Sequence, residues 1–296
     1  MKKPLLAATA VALLTLTAAA CSDDESADTT TTAAAETTAA TQSPADCAKG
    51  KTLAEGKLTV ATGNPAFAPW VIDDKPETGQ GFEAAVSYAV AEQLGISKEN
   101  VAWVRTGFDE VIAPGPKNFD FNIQQYSITP DRAKVVSFSN PYYVTNQTLV
   151  TFADSPFASA TKISDLKGAK LGAAVGTTSL DFIENVIKPE SGAQVFDDNT
   201  GAKTALENKQ IDGIIVDLPT SGAIAYGELT NGTVVGQFVR QGDEQGDPLG
   251  MLFAKDNPLV DCVNLALEVL QQSGALTTIE DTWLKGTDGI PVISRD

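Results

Sequence analysis

The sequence predicts an α/β protein built in two parts. Three observations carry this. Short apolar runs of strand length alternate with segments of helical period from Leu58 to Trp283. Those runs end in turn residues, as in Thr62-Gly63-Asn64, Gly176-Thr177-Thr178 and Asp217. The chain has 296 residues, 43% of them apolar, which suffices for about two domains of ordinary size.

Leu58–Ala61 reads as the first strand. After Gly81, Phe82, Val86, Ala89, Val90 and Leu94 fall at helical spacing, and Gly95 sits where a C-cap belongs. Val101–Val104 and Phe119–Ser127 read as strands, and Leu149–Phe152 as a strand that leaves one domain for the next. In the second half Lys170–Val175 is a strand, Ser179–Ile187 a helix, and Lys203–Asn208 part of a short helix. Ile211–Val216 and Val234–Val239 are strands, followed by a polar, Gly-containing run over Gln241–Asp247. After Met251-Leu252-Phe253, Leu259, Val263, Ala266, Val269 and Leu270 mark a long helix stopped by Gly274. Leu276, Ile279 and Trp283 mark a shorter one.

Composition excludes several chemistries. There is no His, so a Ser-His-Asp triad, a Cys-His dyad and a His-ligated metal are ruled out. The formal net charge of −17 argues against nucleic acid as a partner, since phosphate contacts need clustered Lys and Arg. Neither a metal nor a cofactor is expected.

The start reads as an export signal, residues 1–20. Met1-Lys2-Lys3 is a basic n-region and Pro4–Ala20 is apolar or small throughout, too short to span a bilayer comfortably. Ala18-Ala19-Ala20-Cys21 resembles a lipobox, although the position three before the cysteine is Ala rather than Leu. The alternative is an ordinary A-x-A cleavage site. Ser22–Asp46 holds seven Thr, seven Ala and six acidic residues, with no aromatic, Lys or Arg. Such a segment has too little apolar surface to offset its ordering entropy. Residues 21–46 are thus expected to be a disordered acidic tether on a lipidated Cys21. With Cys21 lipidated, Cys47 and Cys262 remain, and an oxidising compartment predicts a disulfide between them. Two separate buried thiols are the alternative.

Gly81-Phe82-Glu83, the run Tyr126-Ser127-Ile128-Thr129-Pro130-Asp131-Arg132, then Ser137-Phe138-Ser139-Asn140-Pro141-Tyr142-Tyr143 and Ile211–Asp217 occur in that order. With this pattern the body from about Leu58 to Trp283 resembles the family 3 solute-binding proteins of amino-acid ABC importers. The resemblance implies a two-lobe periplasmic-binding-protein fold of type II with two crossover hinge strands. Lobe 1 would be 47–149 plus 248–296, and lobe 2 would be 150–247. It implies a monomer that captures an amino acid in the cleft and delivers it to a membrane permease. Lipidated Cys21 would hold it to the outer face of the cytoplasmic membrane. A cyclohexadienyl-dehydratase-like enzyme on the same scaffold, or a ligand sensor, is the alternative.

A free amino acid presents a carboxylate and an ammonium on one carbon. Arg132 suits the first, because its planar fork grips a carboxylate bidentately and stays charged. Thr177 and Thr178 open a helix, where N–H groups favour an anion; N-capping is the plainer role for a Thr there. Asp217, ending a buried strand, suits the ammonium and matches the family's α-amino aspartate. Ser127 and Gln125 would add acceptors. Asn64 lies near the family's ligand-facing polar position, and Phe67 and Phe108 match its two flanking aromatics. Trp70 is expected as a wall. The chain departs from relatives at Ala85, at Ala174 and in Ala113-Pro114-Gly115-Pro116-Lys117.

Overall fold

The computed structural model describes residues 42–239, 246–286 and 289–295. The expected signal peptide, Cys21, most of the tether and most of the Gln241–Asp247 run lie outside them. The described residues begin before the expected end of the tether. Helix α1 (Pro44–Ala48) starts from Ser43, whose hydroxyl accepts the Asp46 N–H at 3.1 Å. Residues 44–46, capped by Ser43, are therefore corrected from tether to helix.

Two five-stranded sheets follow. The first is laid down by β1 (Leu58–Gly63), β2 (Val101–Thr106), β3 (Phe121–Asn122) and β4 (Ser137–Phe138). β5 (Tyr143–Thr145) then leads into the second sheet, which holds β6 (Gln147–Phe152), β7 (Leu171–Ala174), β8 (Gln194–Phe196), β9 (Gly213–Asp217) and β10 (Gly232–Phe238). β11 (Asp247–Leu249) returns antiparallel to β5, and β12 (Leu252–Phe253) re-enters the first sheet between β3 and β4. The spatial orders are β2-β1-β3-β12-β4 and β10-β6-β9-β7-β8. The β5/β11 ribbon is thus the pair of crossover strands, and this is the two-lobe type II arrangement.

The helices between them are α2 (Phe82–Gln93), α3 (Thr178–Phe182), α4 (Asn199–Glu207), α5 (Leu218–Gly222), α6 (Leu259–Gln272) and α7 (Ala275–Trp283). β9 shows why the apolar runs read as continuous. Ile215 enters one core of the second sheet, while Ile214 and Val216 enter the other, so both faces are buried. On α6, Leu259, Cys262, Val263, Ala266, Leu267 and Leu270 form the buried stripe, packed with Phe82, Val86 and Val90 of α2 in the main core of the first sheet. Cys47 and Cys262 are joined, with Cα atoms 5.3 Å apart, which pins α1 to α6.

Several expectations need correction. The Phe119–Ser127 strand is only two residues of β3, and past it the backbone turns left-handed at Gln125, φ 52°. The Ser179–Ile187 helix is α-helical to Phe182 and widens to a π turn over Ile183–Ile187. The second sheet begins at Gln147, three residues before the expected boundary. The end of the chain does not stay with lobe 1. Val292 bridges to Gln237 and Ser294 to Lys162, and Ile293 is buried in the second sheet's core. The apolar side chain of Ile293 has its buried partners there, so 290–295 leaves the expected 248–296 segment.

Candidate binding cleft

A cavity of about 260 Å³ lies where the strand ends of the two sheets face each other. All nine sequence-predicted ligand residues line it: Asn64, Phe67, Phe108, Gln125, Ser127, Arg132, Thr177, Thr178 and Asp217.

Arg132 is set by a local turn in which Thr129 Oγ1 accepts its backbone N–H at 3.2 Å. The residue is nearly buried, 8% exposed. One Nη donates to the Ser127 carbonyl and the other to the Gly176 carbonyl, each at 2.8 Å. The ring of Phe108 lies 5.5 Å from the guanidinium carbon and stacks on Tyr126, centroids 4.6 Å apart. Burial draws the pKa of Arg132 down from its ordinary value, and nearby Tyr126, Asp181 and Asp217 oppose this. A guanidinium carries more donors than these two carbonyls use, so the fork keeps capacity for an anion.

The β7–α3 turn brings Thr177 and Thr178 from the other sheet. Thr177 Oγ1 accepts the Leu180 N–H at 3.1 Å and donates to the Ala174 carbonyl at 2.7 Å, so it is the helix N-cap. Thr178 Oγ1 stands 3.0 Å from Ser127 Oγ, joining the two sides of the cleft.

Asp217 stands at the end of β9, where Gln147 Nε2 donates to it at 3.2 Å and to Asp247 at 2.9 Å. Ser179 Oγ in turn donates to Gln147 Oε1 at 2.6 Å, which orients the amide. Burial, then the charge of Asp247, pushes Asp217 up to about 7; Gln147 and Arg132 pull the other way. An ionised Asp217 thus calls for a cation.

Gln125 reaches the cavity differently from expectation. Its backbone N–H donates to Glu83 Oε1 at 2.7 Å, and its side-chain amide donates to Glu83 Oε2. The amide nitrogen is therefore engaged away from any ligand. The loop after β1 is braced by Arg105, which donates to the Gly63 carbonyl at 2.6 Å and pairs with Asp74 at 2.7 Å.

Sequence reasoning missed Thr220, Gln124 and the Asp197–Asn199 stretch, all of which line the cavity. It read Trp70 as a wall only. Trp70 is fully buried, and its indole N–H reaches Thr220 on α5. No local spacing points to Thr220. The one available signal is its place one turn after Asp217.

Residues 58–286 match the bacterial extracellular solute-binding proteins, family 3. The arginine-binding periplasmic protein of Mannheimia haemolytica is 26% identical over 75% of this chain and 89% of its own length. ABC transporter arginine-binding protein 1 of Escherichia coli K12 is 28% identical over 69% and 81%. Among solved structures, an ancestral arginine-binding protein bound to glutamine superposes with a TM-score of 0.66 at 28% identity, covering 78% of this chain and 98% of that one. The chain belongs to family 3 of the bacterial extracellular solute-binding proteins. It is an extracytoplasmic substrate-binding protein.

Proposed function

We propose that the protein captures a free α-amino acid in this cleft and delivers it to the permease of an ABC importer, held at the membrane through lipidated Cys21. One observation carries the reading: the Arg132 cation and the Asp217 carboxylate line the same cavity from opposite sheets. Arg132 and the Thr178 hydroxyl receive the α-carboxylate, with Ser127 beside them. Asp217 receives the α-ammonium, whose charge offsets the burial that otherwise holds the acid near neutral pH. Phe67 and Phe108 flank the side chain, with Asn64 adding a polar contact. The relatives whose names specify arginine support an amino acid as the solute class.

Closure follows from where these groups sit. Ligand charges contacted from both sheets are satisfied together only when the sheets approach, so ligand favours the closed form differentially. The β5/β11 ribbon is the hinge that permits this.

The test is calorimetry across the twenty proteinogenic L-amino acids. At least one binds the wild type, and Arg132→Ala abolishes that binding with the circular dichroism spectrum intact. Near wild-type affinity in Arg132→Ala overturns the assignment.

A further inference from the structure

We propose that Glu83 is a positioning residue for the cleft: its buried carboxylate fixes the Gln125 segment and ties it to the chain entering the hinge. This rests on the amino-acid reading above.

Glu83 lies on the first turn of α2 with no exposed surface. Three donors converge on it: the Gln125 backbone N–H, the Gln125 side-chain amide and the Tyr142 hydroxyl. Gln125 lines the cavity and holds a left-handed backbone, φ 52°, which is uncommon for a residue with a side chain. Two bonds from one carboxylate to one residue hold that conformation. It separates β3 from Ser127, whose carbonyl anchors Arg132 and whose hydroxyl meets Thr178. Tyr142 directly precedes β5, the first crossover strand. A single side chain thus joins the ligand cavity to the hinge.

The ionised carboxylate is the stronger acceptor for all three donors. A protonated acid keeps acceptor capacity but is a weaker partner and adds an O–H that must be accommodated in a cluster that only donates to it. The titratable groups facing Glu83 are Tyr142, Tyr126 and Asp217. Arg132 acts on Tyr126 and Asp217. Burial pushes Glu83 up to about 7, against the pull of its three hydrogen bonds. Amino-acid binding, which uses the ordered Gln125 segment, is therefore linked to loss of a proton from Glu83 as well as from Asp217.

Affinity against pH separates this from a packing role. The probe is whichever of the twenty L-amino acids binds the wild type most tightly. In the wild type, affinity falls on acidification below pH 7 with a slope approaching a hundredfold per pH unit, one proton for each acid. Glu83→Gln weakens binding about tenfold or more at pH 8 and cuts the slope to about tenfold per unit, the response of Asp217 alone. Wild-type affinity with an unchanged slope in Glu83→Gln overturns the inference. Where that variant does not fold, Tyr142→Phe carries the test. Loss of its donor shifts the acid limb to higher pH, and an unmoved limb overturns the inference. If none of the twenty binds the wild type, the reading of the site itself fails, a result distinct from an unresponsive variant.

Discussion

The indole N–H of Trp70 donates to the hydroxyl of Thr220 at 2.8 Å, and both side chains are buried. Trp70 belongs to the segment between β1 and α2, and Thr220 to α5 after β9. The bond therefore spans the cleft. Thr220→Val keeps the shape and leaves the indole N–H unpaired on closure, which costs about 1–2 kcal/mol. The expected result is a five- to thirtyfold loss of amino-acid affinity by calorimetry, with little change in the melting temperature of the ligand-free protein.

Arg132→Lys tests geometry rather than charge. Lysine keeps a cation but cannot reproduce a fork that reaches the Ser127 and Gly176 carbonyls and a carboxylate. Binding is expected to weaken by about 1.5–3 kcal/mol, the scale of a hydrogen bond to a charged group. Titration of the variant with the wild-type ligand measures this directly.

Stability and affinity respond to pH with opposite signs. Burial raises Glu83 from 4.5 and Asp217 from 3.8, each to about 7. Between roughly pH 4.5 and 7 the folded state binds these protons more tightly than the unfolded state. Ligand-free stability therefore rises on acidification across that window and is lost as pH climbs through 7, at up to about 1.4 kcal/mol per pH unit for each group. Under the proposed assignment affinity falls over the same window, because the ligand's ammonium then needs an ionised Asp217. Calorimetric melts and isothermal titrations from pH 8 to 5 check both signs. Asp217→Asn removes the Asp217 share of the melting trend.

Removing the disulfide tests the first lobe's rigidity. The bridge closes a separation of 215 residues. Cys47→Ser with Cys262→Ser is expected to lower unfolding free energy by about 2–4 kcal/mol. Because α1 and α6 lie away from the cleft residues, the Kd for an amino acid is expected to stay within about twofold at a temperature where the variant is folded. Chemical denaturation and calorimetry give the two quantities.

Much of this was legible in the chain. β9 and β7 are buried on both faces, so their apolar runs announce themselves, and α6 carries an unbroken stripe. The placement of Arg132, Asp217 and Thr178 at the cavity was legible because motif and chemistry coincide at each. What escaped has a common physical cause. Glu83 meets Gln125 and Tyr142 across 42 and 59 residues of chain, a distance at which no periodicity operates. Gln125 turns the chain past β3 by a backbone angle that an apolar pattern does not encode. The tail 290–295 is too short to show alternation, and only its docking reveals Ile293 as a core residue.

That tail has a mechanical consequence. Leu276, Ile279 and Trp283 of α7 and the buried Leu284 pack in the first sheet's core, whereas Ile290 and Ile293 pack in the cores of the second. The chain therefore passes between the halves a third time, beyond the β5/β11 ribbon. Six Cα steps separate Leu284 from Ile290, a reach of about 20 Å at full extension. While both ends stay docked, that length bounds how far Leu284 and Ile290 can separate as the halves move.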